Sequence, residues 1–521
     1  MSPSPTPPSN LGVSRVGLDG QLVSGVAWTA VTRLASQLVS WGSLLFLTRL
    51  LSPADFGLVG MTVLLTGFIS MLSEFGIGSS IVIINELPLA KIRQLHTVSF
   101  ILGLAAAGIS VAAGKPMALF FRSPQLGLLV PIMGLGFVLS GLRIVPYSML
   151  IRDLRFKLVS LLETAIAIVQ ALVTVLLAWR GMRYWSLVVS NLFANALLAI
   201  LFYSLSPSRF AVPKFRDIRK ELAFSQKLVV SRIAWYLYSN ADFAVAGRVL
   251  GSAALGIYTM AWNLACIPMD RLLSLIVRVV PSVFSKVQHD PPELRRYLRI
   301  LTEGAALVTL PLAIGAALVA DSVVAAVFDP RWAGLVAPLR LLALNVAYRC
   351  LTALLFEVQS SIRDVRYRMW QSLVLLAVLP PSFWYASRWG SGGIAAVWLC
   401  VYPILSAPAL PRILRKIEMP VRQYLEAIRP AALASLSMVG AVLAARYAWP
   451  HFRPGVRLIL QSATGASAYL GVLFIFFRPR VAVFVHLAFA PVNRGVEGFY
   501  RWFRTPPSAT PGPAGPGGDV L

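Results

Sequence analysis

Long apolar runs separated by short polar gaps dominate the chain from residue 23 to residue 477. A helix needs about 20 mostly apolar residues to cross a bilayer. Fourteen runs are read as spans: Val23–Thr48, Phe56–Ile84, Val98–Phe121, Leu126–Leu150, Leu158–Trp179, Trp185–Leu205, Leu228–Leu250, Leu255–Val280, Leu301–Phe328, Leu335–Val358, Trp370–Tyr385, Ile394–Leu410, Ala431–Trp449 and Leu458–Phe477. The eleventh and twelfth are short and carry Pro380, Pro381, Pro403 and Pro408. No gap is long enough to fold as a domain. Val481–Arg504 mixes aromatics with arginine and suits an amphipathic helix lying in the interface. The remaining tail is rich in Pro and Gly, and the opening MSPSPTPPSN has no signal-peptide layout.

Composition narrows the class. The chain is 57% hydrophobic and 13% charged, with mean hydropathy +0.73. Soluble proteins carry roughly 25% charged residues, and disordered chains are more polar still, so a membrane is the solvent this chain fits. The net charge of +26 would suggest nucleic acid in a soluble protein. Here the basic residues fall in the gaps, so they read as positive-inside signals and contacts to anionic lipid headgroups, with no nucleic-acid partner. With the N-terminus inside, inner gaps hold more than twice the Lys/Arg of outer ones. Arg209, Lys214, Arg216, Arg219 and Lys220 stand inside, against Arg180 and Arg183 outside. Both termini are therefore expected in the cytoplasm. Cys266, Cys350 and Cys400 lie inside apolar runs without a CxxC, and the four histidines are scattered, which supports neither disulfide, metal site nor cofactor. No GK[ST] phosphate loop is present, so the chain is not expected to hydrolyse ATP.

The chain repeats itself. Thr32-Arg33-Leu34-Ala35 matches Ser231-Arg232-Ile233-Ala234 at an offset of 199, and the same offset pairs Arg49 with Arg248, Gly57 with Gly256, Leu58 with Ile257 and Met61 with Met260. Ile151-Arg152-Asp153-Leu154-Arg155-Phe156-Lys157 parallels Ile362-Arg363-Asp364-Val365-Arg366-Tyr367-Arg368 at offset 211. Both copies of each match fall on the same expected side, which implies a parallel repeat about an axis along the membrane normal. The expected fold is an all-α polytopic membrane protein of two six-helix lobes around a central cavity, plus two C-terminal helices. Its expected parts are a disordered cytoplasmic tail at 1–22, an N-lobe at 23–205 and a basic linker at 206–227. A C-lobe follows at 228–410, two further helices at 431–477, and an amphipathic and disordered cytoplasmic tail at 478–521.

Ionisable groups inside spans are costly and usually face a cavity or a partner. Arg33 in the first helix and Arg271 in the eighth are the deepest cations, with Arg278 one heptad beyond Arg271; Arg143, Arg232 and Arg349 complete a buried or half-buried set. Glu74, Glu163, Asp242 and Asp270 are the acidic members. Two readings are open. Each arginine pairs with a carboxylate or snorkels to headgroups, or several line a cationic cavity for a phosphate-bearing substrate. For Glu74, Asp242 and Asp270 the alternatives are coupling to H+ or Na+ and service as structural counter-ions. Asp153 and Asp364 read as loop-ordering salt-bridge partners.

Thr48-Arg49-Leu50-Leu51-Ser52-Pro53-Ala54-Asp55-Phe56-Gly57 resembles the start of Wzx-type polysaccharide transporters of the multidrug/oligosaccharidyl-lipid/polysaccharide exporter superfamily. Asp242-Phe243-Ala244-Val245-Ala246-Gly247-Arg248-Val249-Leu250-Gly251, leading into Leu255-Gly256-Ile257-Tyr258, resembles them more specifically. The likeness covers helices one to twelve and leans toward the branch containing the colanic acid exporter. It implies a non-enzymatic flippase of the bacterial inner membrane that moves undecaprenyl-diphosphate-linked oligosaccharides by alternating access. The implied partners are that substrate, membrane lipids and polysaccharide polymerase or assembly proteins. The resemblance also implies a cationic central cavity, with Arg33, Arg49 and Arg271 on the helices that would line it. Rival readings are a multidrug/cation antiporter or lipid II flippase of the same superfamily. A membrane polymerase or ligase would need a sizeable external loop, which the gaps do not supply.

Overall fold

A computed structural model describes residues 37, 39–73, 77–83, 88–207, 209–213, 229–266, 284, 290–362, 364–478 and 480. The first half comprises α1 (39–50), α2 (Pro53–Ser73), α3 (Ile77–Ile83), α4 (Leu89–Phe121), α5 (Leu126–Arg152), α6 (Phe156–Trp179) and α7 (Trp185–Leu205). The second begins with α8 (Val229–Ser239), α9 (Ala241–Val245), a π turn at Ala246–Leu250 and α10 (251–266). It continues with α11 (Pro291–Val327), α12 (Val336–Ser361), α13 (Val365–Ala386), α14 (Gly390–Ser406) and the short α15 (Ala409–Lys416). A final hairpin is formed by α16 (Val421–Ala448) and α17 (Pro454–Phe476). Among the described residues there is no strand, and 11 segments are long and apolar enough to cross a membrane. This is an all-α polytopic membrane protein.

The apolar runs locate the helices but not their ends. The segment Arg366–Lys416 holds both proline-bearing runs, separated by a 3-10 turn at Ser387–Trp389. The runs expected at Leu228–Leu250 and Leu255–Val280 are divided at Gly251, whose φ of 86° and ψ of −179° leave the helical region. The first run is described only from residue 37, and most of the eighth beyond Cys266 lies outside the described residues. α11 starts ten residues before the expected Leu301: the Asp290 side chain accepts from the Glu293 backbone N–H, and prolines occupy the first turn. Hydropathy measures the part that lies in lipid; hydrogen bonding carries the helix further, through Arg295, Arg296 and Arg299.

The two halves meet on backbone. A β-carbon placed on Gly57 of α2 would stand 1.7 Å from the Ser252 carbonyl oxygen, and one on Gly256 of α10 would stand 1.8 Å from that of Pro53. These are one contact seen twice, because each residue and its counterpart are 199 positions apart. A local two-fold axis therefore passes between Gly57 and Gly256, and α2 and α10 leave it in the same sense, as a parallel repeat requires. Met61 and Met260, another matched pair, are buried in one core that also holds Tyr258, Trp332 and Trp398. Small residues let helices approach this closely in lipid, where packing rather than water drives association.

Helices α16 and α17 dock on α11. Asp321 of α11 pairs with Arg446 of α16 at 2.8 Å and with Arg340 of α12 at 2.7 Å. Gln461 of α17 accepts from Ser322 at 2.8 Å, Tyr469 donates to the Leu307 carbonyl at 2.7 Å, and Arg480 pairs with Glu303 at 3.6 Å.

The other repeated motif forms equivalent turns, α5 to α6 and α12 to α13, with Arg363 outside the described residues. The copies differ in company. Asp153 is exposed, whereas Asp364 is buried and held by Arg412 at 2.9 Å and Lys416 at 3.0 Å, both on α15. The hydrogen bond from Arg412, aided by Lys416, keeps the Asp364 carboxyl below its usual 3.8.

Two outcomes are expected. Gly57→Ala or Gly256→Ala should lower the stability of detergent-purified protein by roughly 1–3 kcal/mol through overpacking, whereas Gly440→Ala, facing open space, should not. Equal melting of all three variants would count against the backbone contact. Asp364 contributes stability that is present above the usual carboxylate value and lost as pH falls through its depressed folded value. Asp364→Asn should therefore cost about 1 kcal/mol at pH 7, given partners that are nearly half exposed, and the difference should close as pH falls through that depressed folded value. Thermal melts across that range check it.

Candidate functional site

The seam between the halves is sealed at the face that the charge bias assigns to the outside. Ser52 caps α2: its hydroxyl donates to Asp55 Oδ2 at 2.6 Å, its N–H donates to the same oxygen at 3.0 Å, and Asp55 N–H returns to Ser52 Oγ at 3.3 Å. Pro53 supplies the first helical residue, so Ser52-Pro53-Ala54-Asp55 is a capping box with Asp in the acidic place. Arg183, from the turn before α7, pairs with Asp55 at 3.3 Å.

The last carbonyls of a helix lack i+4 partners within it, and the second half supplies donors to helix ends of the first. Trp332, fully buried in the 3-10 turn Pro330–Leu335, donates its indole N–H to the Thr48 carbonyl of α1 at 3.0 Å. Arg331 donates to the Arg49 carbonyl at 2.9 Å. Its other contact is Asp329, whose carboxyl the Arg331 hydrogen bond holds below the usual range. In the same sense Arg248, in the π turn, donates to the Leu119 carbonyl at 3.3 Å and to the Phe120 carbonyl at the end of α4. Arg49 and Arg248 are repeat equivalents, so both helix ends on the axis take part in the closure.

Deeper in the second half lies a polar group enclosed by aromatics. Asp242 of α9 is buried. Its Oδ2 accepts from the Tyr258 hydroxyl and the Trp398 indole N–H, each at 2.7 Å, and its Oδ1 accepts from the Phe243 N–H at 2.9 Å. The carboxylate is thus occupied by donors of its own fold. Arg349 stands near the middle of α12, with its guanidinium 5.0 Å from the Trp262 ring centre and 5.5 Å from that of Trp398. Among the described residues it forms no ion pair. Asp242 lies within its electrostatic reach. Arg349, Trp262, Tyr238 and Tyr348 are partly exposed and form a rim; Asp242, Tyr258, Trp398 and Tyr402 are buried beneath it.

Of the residues singled out from the sequence, Arg33, Arg271, Arg278, Glu74 and Asp270 lie outside the described residues. So does the Arg232 side chain, although its helix α8 is described. Arg143 is half-buried on α5 and Glu163 is exposed on α6. Arg49 is exposed at the sealed end of α1. Asp242 alone has a described environment of several polar partners. Sequence reasoning counted Arg349 among the buried cations without choosing it as a site residue, read Tyr258 only as part of a resemblance motif, and passed over Trp262 and Trp398. The available signal was the i, i+4 spacing of Tyr258 and Trp262 immediately after the repeated glycine.

Among the described residues no group of His, Cys, Asp and Glu could hold a metal. A family model described as "Polysaccharide biosynthesis protein" matches residues 46–337, more than half of the chain. The chain is 24% identical over 463 residues to the succinoglycan biosynthesis transport protein ExoT of Rhizobium meliloti, covering 86% of this chain and 92% of that one. It is 23% identical to the lipopolysaccharide biosynthesis protein WzxC of Escherichia coli, covering 63% of this chain and 67% of that one. A solved inward-facing structure of a multidrug resistance MATE family transporter of the MOP superfamily superposes with a TM-score of 0.57 at 13% identity. That alignment covers 78% of this chain and 98% of the transporter, and the likeness is one of fold.

The seam predicts a change in accessibility. Trp332→Phe keeps the ring but removes the N–H given to Thr48, a hydrogen bond worth about 1 kcal/mol, or roughly fivefold in an equilibrium. In a chain whose native cysteines are replaced, Met260→Cys should then react several-fold faster with an impermeant thiol reagent added outside. An unchanged rate would mean that this bond does not hold the seam.

Proposed function

The chain belongs to the polysaccharide biosynthesis protein family, and from that premise we propose that it is a flippase of the bacterial inner membrane. Its cargo is an undecaprenyl-diphosphate-linked oligosaccharide destined for a surface polysaccharide. The observation that carries this reading is the seam: two repeat-related halves, joined on a two-fold axis and sealed at one face by bonds from the second half to helix ends of the first. Such a joint lets the halves rock so that one face opens as the other closes, and alternating access needs that. Relatives named as polysaccharide transport and lipopolysaccharide biosynthesis proteins support the cargo class.

In this proposal the N-lobe is 23–205 and the C-lobe 228–410, both termini are cytoplasmic, and the sealed face is periplasmic. Arg33, Arg271, Arg278, Arg232 and Arg143 contribute guanidinium groups to a cavity open toward the cytoplasm, with Arg49 at its closed end. A diphosphate is too polar to cross lipid unaided, and charge-assisted hydrogen bonds replace part of its hydration, each worth about 1.5–3 kcal/mol. The polyprenyl tail stays in lipid. Coupling to H+ or Na+ through Glu74, Asp270 or Asp242 belongs to the same reading, as do polymerase or assembly proteins as partners. No catalytic step is assigned to the chain.

The test is glycan export in a deletion strain complemented with variants at matched membrane abundance. Arg33→Ala and Arg271→Ala are expected to abolish export. Arg→Lys should impair it less, because charge remains while the planar fork is lost. Normal export by both alanine variants would remove these residues from the cavity. A deletion that leaves surface glycan intact and instead sensitises the cell to cationic drugs would favour the antiporter reading.

A further inference from the structure

Among the described residues no carboxylate pairs directly with the Arg349 guanidinium. Its apparent counter-ion, Asp242, spends its oxygens on Tyr258, Trp398 and the Phe243 N–H. Trp398 mediates between the two charges: its N–H goes to Asp242, while its ring face lies beside Arg349. A cation against indole faces is stabilised by the ring quadrupole, and this contact leaves the N–H groups at the guanidinium edge available. One turn earlier on the same helix face, Asn345 is fully buried, and neither its amide nitrogen nor its amide oxygen has a hydrogen-bond partner among the described residues. Buried amide groups are ordinarily paired. The rim around Arg349 is aromatic: Trp262, Tyr238 and Tyr348.

We propose that Arg349, with the partly exposed ring of Trp262 beside it, is a receptor for a carboxylate-bearing sugar. The inference rests on the flippase reading and adds to it a preference for acidic glycan.

Charge arithmetic selects a carboxylate over a diphosphate. One guanidinium matches at most one negative charge, and the nearby Asp242 carboxylate disfavours a more highly charged diphosphate further. The planar fork of an arginine accepts a carboxylate in two parallel hydrogen bonds. A pyranose ring carries its C–H groups on its faces, and these pack against the negative face of an aromatic ring. Asp242 acts here as a positioning residue, holding Trp398 in the orientation that faces Arg349.

The experiment uses the full chain in lipid nanodiscs and follows tryptophan fluorescence on titration with glucuronate, glucose and inorganic phosphate. Glucuronate should give a saturable change, with glucose and phosphate at least about tenfold weaker, as expected for loss of one charge-assisted contact. Arg349→Ala should abolish the response and Arg349→Lys should weaken it about tenfold or more. Trp398→Phe keeps a ring but releases Asp242, and should weaken glucuronate binding while leaving the melting temperature of the apoprotein closer to wild type than Asp242→Ala does. No saturable response to glucuronate, equal responses to glucuronate and glucose, or an undiminished response in a folded Arg349→Ala or Arg349→Lys chain would overturn the proposal. A stronger response to phosphate would overturn it in favour of a phosphate site. A chain that binds glucuronate through Arg349 yet fails to restore glycan export would sink the transport reading and leave the receptor standing.

Discussion

Backbone touching backbone at Gly57 and Gly256 is the constraint on which the rest of the molecule is arranged. Two helices can cross that closely only where neither carries a β-carbon at the crossing. Once they do, the segments on either side are brought into register: Ser52 and Gly251 turn the chain at matched positions, and Met61 and Met260 enter the same core. The helix ends that lead into the crossing then stand within reach of the opposite half. Trp332, Arg331 and Arg248 donate to carbonyls at the helix ends of the first half. A joint built on main chain tolerates variation in side chains around it, and this is how halves of such different sequence keep a common axis.

The polar interior of the second half obeys a different economy. A buried carboxylate needs donors, and Asp242 obtains three without drawing on a cation. Arg349 is then stabilised by rings rather than by direct pairing. An ion pair in their place would have neutralised both groups and left nothing for a ligand to read. The indole of Trp398 keeps the two charges near each other but apart, and so preserves the binding capacity of the guanidinium.

Much of the fold could be read in advance, because apolar length and the repeat are both one-dimensional signals. Offsets of 199 and 211 placed Gly57 opposite Gly256 and the Asp153 turn opposite the Asp364 turn, and the structure keeps both equivalences. Helix ends were less legible. Capping at Asp290 and Ser52 depends on hydrogen bonds that hydropathy does not register, so α11 and α2 begin before their apolar stretches. The site was least legible. Depth along a helix can be counted from a sequence, and this singled out Asp242 and noted Arg349. Which side chains of α9, α10, α12 and α14 converge depends on helix rotation and crossing, which residue spacing on one helix cannot supply. Arg33 and Arg271 were chosen by depth alone and lie outside the described residues.

The two copies of the inner turn are held differently, and so are the halves they belong to. Asp364 is pinned to α15, and α11 is braced along its length by α16 and α17 through Asp321, Ser322, Leu307 and Glu303. The Asp153 turn is exposed, and among the described residues the first half has no appended hairpin. A machine made of a stiffened body and a lighter one does not divide its motion equally. The second half would serve as the stator and the first as the rotor, so most of the displacement in a transport cycle would be carried by α1 to α7.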